Sequence, residues 1–344
     1  MKPNHYEVII VGAGPIGIEI AVALKKAGID YLHLEKGQIG QTISWFPRMM
    51  RFFSSPDRIA IAGIPIPRID ESKCTKEEYL AYLRSVVVQF GLPIRTYEKV
   101  VSINRQNDEF IVNTVAKEKK HQYTAHRLIL AVGDMHKPNL LGIPGEDLPH
   151  VSHYFDEPHK YFRQKVIVTG GRNSAVEAAL RCFRCGADVT ICYRGSEFDP
   201  ESVKYWILPE IQGLINRGEI KMLRHSQVKA IGYDSVTIEE IHTGKVYKAD
   251  TDFVLLMTGY RADMSLFTSL GVELAGPEEK PVYDESTMET NIPGLYVAGT
   301  AVAGSQQKYS VFIENCHIHV ERIFAALTCS TTTGRTPDFE RPES

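Results

Sequence analysis

Glu7-Val8-Ile9-Ile10-Val11-Gly12-Ala13-Gly14-Pro15-Ile16-Gly17 is the stretch on which the fold turns. Residues 7–11, rich in β-branched side chains, read as a strand buried on both faces and run straight into a G-x-G-x-x-G loop. Apolar spacing over Pro15–Lys26 is helical, Gly28 is placed to stop that helix, and Tyr31–Leu34 reads as the next strand, ending on Glu35. This is the strand–loop–helix–strand element of a dinucleotide-binding domain. Gly12 permits the tight turn, Gly14 lets backbone approach a pyrophosphate, and Gly17 lets helix and strand pack closely. Phosphate then faces a helix N-terminus, where unpaired N–H groups and the macrodipole favour an anion. Glu35, 23 positions after Gly12, supplies acceptors for two ribose hydroxyls and repels a 2′-phosphate. Loop and acid together specify an adenosine site with an unmodified ribose.

The pattern returns further along the chain. Lys165–Thr169 reads as a strand, residues 170–175 as a glycine-bearing loop, residues 176–184 as a helix stopped at Gly186, and residues 189–193 as a strand. The loop Gly170-Gly171-Arg172-Asn173-Ser174-Ala175 fits G-x-G-x-x-A with Arg172 at the central glycine position. A side chain there crowds a pyrophosphate unless its guanidinium hydrogen-bonds the phosphate itself. Where the first unit has Glu35, the second has Arg194, 24 positions after Gly170. Arginine in place of the acid accommodates a 2′-phosphate, so the second nucleotide is expected to be NADPH rather than NADH.

Between the two units, residues 99–113 and 127–132 read as strands with a charged turn at residues 117–120, and Pro138, Pro144 and Pro149 punctuate a crossover. The remaining composition narrows the class. With 344 residues, 43% hydrophobic and 24% charged, the chain matches a globular protein of about two domains and has no apolar run long enough to cross a bilayer. No secretory leader precedes the first strand, so a cytoplasmic location is expected. A formal net charge of -3 offers no basic field for nucleic acid. The six cysteines show no disulfide-framework spacing, and Cys182 with Cys185 lacks the second pair that a four-ligand metal site needs. No metal, nucleic-acid or membrane partner is expected.

Two further segments, residues 128–133 (LILAVG) and 295–300 (LYVAGT), are apolar strands ending in Ala131-Val132-Gly133 and Ala298-Gly299-Thr300, turns that let backbone meet a ligand at a sheet edge. With both nucleotide units, the arrangement from Tyr6 to about Ala326 resembles the thioredoxin-reductase-like flavoproteins. The resemblance implies an α/β fold of two Rossmann-like, three-layer ββα domains. One, for FAD, is built from residues 1–134 and 263–330; the other, for NADPH, comprises residues 135–262; residues 331–344 form a flexible tail. It also implies a last helix over residues 312–326 beginning beside the flavin. Within this group the chain is similar to the bacillithiol disulfide reductase family, through Phe52-Phe53-Ser54-Ser55, Tyr193-Arg194-Gly195-Ser196-Glu197, Trp206-Ile207-Leu208-Pro209-Glu210, Met257-Thr258-Gly259-Tyr260 and Phe312-Ile313-Glu314-Asn315.

That likeness implies NADPH-driven reduction of a low-molecular-weight disulfide through FAD, and a homo-oligomer. The flavin contacts expected are Gly12, Gly14, Pro15, Ile16, Gly17, Glu35, Lys36, Ala131, Gly133, Gly299, Thr300 and Ile313. The NADPH contacts expected are Gly170, Gly171, Arg172, Asn173, Ser174 and Arg194. Two departures stand out. Ile16 occupies a position where family members commonly carry Cys, and Thr300 one where the superfamily usually carries Asp. Residues 151–165, which in thioredoxin reductases hold Cys-x-x-Cys, contain none. Cys182 and Cys185 fall at the far end of the second nucleotide helix, about 10 to 15 Å from its phosphate. Cys316 is the candidate redox thiol, because a helix N-terminus lowers a thiol pKa; His150, His153, His317 and His319 are candidate proton donors. Other acceptors, a flavin monooxygenase and a non-catalytic redox-sensing flavoprotein remain as alternatives. The monooxygenase spacing Phe-x-Gly-x-x-x-His ahead of the second strand is not met.

Overall fold

The structure is a computed structural model and describes residues 4–70 and 72–331. The expected flexible tail lies almost wholly outside them. The chain divides into two compact units. The first takes the described residues up to Ser44, Met49–Lys137 and those from Arg261 onward; the second takes Trp45–Arg48 and Pro138–Tyr260.

The first unit opens with β1 (His5–Val11), α1 (Pro15–Lys26) and β2 (Tyr31–Leu34). Ile16, Ile18, Ile20, Val22 and Leu24 of α1 are all buried, each contributing about 1.5–3 kcal/mol. The helix is apolar nearly all round because sheet lies on one side and the chain's last helix on another. After the loop that follows comes α2 (Lys76–Phe90), held by a Thr75–Glu78 capping box at its start and by Gly91 in the left-handed conformation at its end. Then follow β3 (Ile94–Arg95), β4 (Glu98–Gln106), β5 (Glu109–Ala116) and β6 (Lys119–Leu130).

The structure corrects the reading of residues 99–113 as one strand. Asn107 and Asp108 both take positive φ, +50° and +63°, and fold the segment into a hairpin. An Asn-Asp turn of this kind matches the twist of the strands it joins. A second such turn, Lys117–Glu118, sits where charge marked a turn, and β6 begins directly after it.

The second unit carries β7 (Val151–Ser152), β8 (Lys165–Thr169), α3 (Asn173–Arg184), β9 (Asp188–Cys192), α4 (Leu208–Asn216) and β10 (Lys221–Leu223). A meander of β11 (Ser226–Ile231), β12 (Ser235–Glu240) and β13 (Val246–Asp250) follows, then β14 (Phe253–Leu256). Its parallel sheet has the order β10-β9-β8-β14-β7. The helix α3 starts at Asn173, three residues before the sequence placed it, because the loop is tighter than the glycine spacing suggests. Apolar clusters lie on both faces of this sheet: Val166, Val168 and Ile191 point toward α3 and α4, while Ile167, Val254 and Leu256 point toward the meander.

The chain then returns to the first unit with β15 (Leu295–Val297) and α5 (His317–Thr328). The first sheet runs β3-β2-β1-β6-β5-β4, with β15 on the carboxyl half of β6. Here too a boundary moves: a short 3-10 turn, Ile313–Asn315, precedes α5, so the helix begins at His317 rather than at residue 312.

Candidate functional site

Register builds the first site. Val11 pairs with Leu130, and Leu130 with Val297, so the ends of β1, β6 and β15 lie side by side. The three turns Gly12–Gly17, Ala131–Gly133 and Ala298–Thr300 therefore leave one sheet edge together, the carboxyl edge at which open α/β sheets bind ligands. A methyl on Gly12 would lie 2.3 Å from the Ala131 carbonyl oxygen, and φ there is +108°. One on Gly17 would lie 2.0 Å from the Gly12 carbonyl oxygen, and one on Gly299 3.5 Å from Ile16. At Gly14 an added Cβ meets nothing within 4 Å. Two of the loop's glycines thus serve packing, and the middle one borders open space.

Glu35 is buried at the end of β2. Its carboxylate accepts hydrogen bonds from the backbone N–H of Ala13 and of Gly37, each 2.8 Å, which ties the acid to the loop. Lys36 beside it is exposed. Pro15 is the first residue of α1, and no side chain caps that helix, unlike α2. Its first-turn N–H groups are left for a ligand. This cradle fits a dinucleotide pyrophosphate.

Several residues that local spacing did not reveal support this edge. His33, fully buried, donates from Nε2 to the Gly12 carbonyl over 2.9 Å; burial pushes its pKa down to about 4, so it is a neutral donor. Asp134, next to Gly133, accepts hydrogen bonds from Thr300 and, at 2.9 Å, from Gln306 Nε2. Burial outweighs those bonds and raises its carboxyl above the ordinary value. Gln306 Oε1 in turn accepts from the N–H groups of Ser310 and Val311, fixing the approach to Ile313. His319, already a candidate proton donor from the sequence, accepts at Nδ1 from the Gly299 N–H over 3.2 Å, and burial lowers its pKa to about 4.

His317 makes the strongest pair near this edge. Its Nδ1 lies 2.7 Å from Glu19 of α1 and its Nε2 2.9 Å from the Arg58 carbonyl. Burial pushes its pKa down, but the hydrogen bond and charge of Glu19 prevail and the net shift is upward. His150 and His153 belong to the second unit. There His150 bonds the Gly232 carbonyl and His153 stands 3.5 Å from Glu146.

The cysteine expectations divide. Cys316 sits at the cap position of α5, yet its thiol is fully buried and desolvation raises its pKa well above the ordinary value, aided by the charges of Asp134 and Glu19. Here burial opposes the effect of the helix terminus on the thiol. Cys182 is buried with its pKa raised to about 12, and Cys185, at the end of α3, donates to the Pro158 carbonyl over 3.0 Å.

In the second unit, Gly170 has φ +138° and a Cβ there would lie 2.5 Å from the Met257 carbonyl oxygen; at Gly171 a Cβ would strike the Tyr193 ring at 2.1 Å. Arg172 caps α3 in extended backbone, φ -113°, which any residue adopts without strain. Asn173 accepts from the Lys204 N–H and Ser174 is exposed. The guanidinium groups of Arg172 and Arg194 are both exposed and form no hydrogen bond or ion pair among the described residues. Thr169 Oγ1, at the mouth of the loop, is shut from solvent without a partner. Two free cations around an uncapped helix suit a nucleotide with an additional phosphate.

Two such nucleotide cradles, one with an acid and one with an arginine at the corresponding strand end, define a pyridine-nucleotide-dependent flavoprotein oxidoreductase. The chain belongs to the pyridine nucleotide-disulphide oxidoreductase family, whose sequence pattern it matches over residues 9–299. FAD and NADPH are the cofactors of this group. The bacilliredoxin reductase Bdr of Bacillus subtilis (strain 168) is 38% identical over 322 residues, covering 93% of this chain and 97% of that protein. Among solved structures, the bacillithiol disulfide reductase Bdr (YpdA) of Bacillus cereus superposes with a TM-score of 0.89 at 36% identity, over 94% of this chain and 99% of that one. The Staphylococcus aureus enzyme of the same name gives 0.87, also at 36% identity, over 95% and 99%.

Proposed function

We propose that the protein uses NADPH, through bound FAD, to reduce a low-molecular-weight disulfide of the bacillithiol type. The observation that carries the reading is the charge reversal between the two cradles, Glu35 at one strand end and Arg194 at the other, in a chain similar to bacillithiol disulfide reductases along nearly its whole length. FAD, when bound, accepts two electrons from NADPH and releases them to an acceptor. Gly12, Gly14, Pro15, Ile16 and Gly17 receive its pyrophosphate against α1, and Glu35 with Lys36 takes the adenosine ribose. Ala131, Gly133, Gly299, Thr300 and Ile313 border the rest. This assigns FAD to residues 1–134 and 263–330.

NADPH belongs to residues 135–262, on Gly170, Gly171, Arg172, Asn173 and Ser174, with Arg194 on the 2′-phosphate. A route without a protein thiol is supported by Ile16, which carries no sulfur, and by the burial that raises the pKa of Cys316. The substrate's S–S bond therefore breaks without a protein mixed disulfide, taking up two electrons and two protons to give two thiols. The setting is expected to be cytoplasmic; no helix among the described residues is long and apolar enough to cross a membrane.

The test is anaerobic reduction by NADPH followed by stopped-flow mixing with bacillithiol disulfide, other small disulfides, quinones, ferredoxin and oxygen. Reoxidation by small disulfides well ahead of the other acceptors is expected. A quinone, oxygen or ferredoxin preference, with no response to any disulfide, rejects the reading.

A further inference from the structure

At the opposite, amino edge of the first sheet three strands bring together His5, Glu109 and His126. Glu109 precedes Phe110, which pairs with Ala125, and His5 pairs with Thr124, so all three side chains leave the same face. One potential ligand atom from each lies within 4.8 Å of the others. His5 Nδ1 is 3.8 Å from Glu109 Oε1, and the two imidazoles meet edge to face with centroids 4.9 Å apart. A cavity of about 400 Å³ opens beside the pair, and its wall includes Glu7 and Asp30 as well as Arg127.

We propose that His5, Glu109 and His126 form a binding site for a divalent transition cation of the zinc type. Two imidazoles and one carboxylate suit such an ion, whereas calcium and magnesium prefer all-oxygen sets. Ligand atoms on tetrahedral zinc stand about 3.3 Å apart, closer than the present limit of 4.8 Å. Rotation of these partly exposed side chains closes that gap without moving the strands. Three protein ligands leave a fourth position, and the adjoining cavity gives water or a small anion access to it. Thr124 Oγ1, 2.9 Å from His5 Nδ1, is the present partner of that nitrogen. It either yields the lone pair to the ion or holds the ring while Nε2 coordinates. The site stands the length of β1, about 20 Å, from the Gly12 loop, so an ion there does not compete with the nucleotide at that loop.

Sequence spacing conceals the trio because each ligand comes from a different strand. Untagged, FAD-loaded protein, stripped with chelator, is titrated with zinc chloride by calorimetry and equilibrium dialysis. One zinc ion per chain is expected, weakened at least roughly tenfold by His126→Ala or Glu109→Gln and lost in His5→Gln with His126→Ala. Flavin content stays at the parent level in each variant, which establishes that the variants are folded. His225→Ala, at the His225–His242 ring pair of the second unit, leaves the site intact. Absence of a site tighter than millimolar overturns the proposal, as does zinc binding that survives the double substitution or disappears with His225→Ala.

Discussion

Arg194 lies two residues past the end of β9 with its guanidinium in solvent and no partner among the described residues. Charge-assisted hydrogen bonding to a 2′-phosphate contributes about 1.5–3 kcal/mol, or roughly ten- to a hundredfold in affinity. Arg194→Ala is therefore expected to reduce the NADPH over NADH preference by that factor. An unchanged ratio of kcat/KM values would move the phosphate to Arg172. The thiols make a second prediction: Cys182→Ser with Cys185→Ser, and separately Cys316→Ser, should leave disulfide turnover within a factor of about two, since the buried Cys182 and Cys316 act as small apolar residues and the half-buried Cys185 is engaged by the Pro158 carbonyl. Loss of turnover in either variant with FAD still bound would restore a thiol relay. A third concerns His317, whose raised pKa means that protonation favours the folded state. That contribution is complete below the unfolded value of 6.5 and fades as pH rises through the higher folded value. Glu19→Gln should then lower Tm most near pH 6, with the deficit shrinking toward pH 9; a pH-independent deficit denies the charged pair. The glycines, Glu35 and Arg194 were legible because a βαβ element keeps them within some two dozen positions. Asp134, whose partner Gln306 lies 172 positions away, and His33, facing a carbonyl 21 positions back, become visible only when the sheet is assembled.

At the scale of elements, α1 and its loop separate two kinds of glycine. Gly17→Ala drives a methyl into the Gly12 carbonyl, so α1 must lift from β1, at a cost of about 1–3 kcal/mol. Gly14→Ala meets only open space in the protein but fills the room of a pyrophosphate. The expected result is a contrast: Gly17→Ala lowers the Tm of the flavin-free protein, whereas Gly14→Ala keeps that Tm and loses flavin. Equal flavin content in Gly14→Ala and parent would place the pyrophosphate elsewhere. The same helix was readable from its apolar spacing and from Gly28, and its ends agree with the sequence reading. The β4–β5 hairpin was not, because its turn is Asn-Asp with no glycine, and alternation continues through it. The meander β11–β13 escaped for a related reason: its strands are short and half polar, so period two is diluted by charged neighbours.

At the scale of the whole molecule, the chain has two separately built cradles, and each nucleotide should stabilise its own unit. A ligand at a hundred times its Kd adds about 2.7 kcal/mol to whatever it binds. In hydrogen exchange, FAD should slow residues of β1, α1 and β15, while adenosine 2′,5′-bisphosphate should slow β8, α3 and β9. Protection of the first set by the bisphosphate would reverse the assignment. What spacing could tell of this scale was the repeat of the nucleotide unit and its change of charge. The closing of the first sheet by a strand from beyond residue 290 rests on resemblance, since nothing local to Leu295–Val297 names β6 as its neighbour. That late strand also sets a timetable. A ribosome delivers the chain in order, at about 5–20 residues per second, so the carboxyl half of β6 emerges on the order of ten seconds before β15 can pair with it. In that interval Leu128, Ile129 and Leu130 present an unpaired hydrophobic edge, the sort of surface chaperones engage. The second unit, nearly all of it one uninterrupted segment, is complete meanwhile. Nascent chains stalled with residue 275 outside the exit tunnel should accordingly yield a protease-resistant core from residues 138–260, with the N-terminal segment still cleavable until translation passes β15.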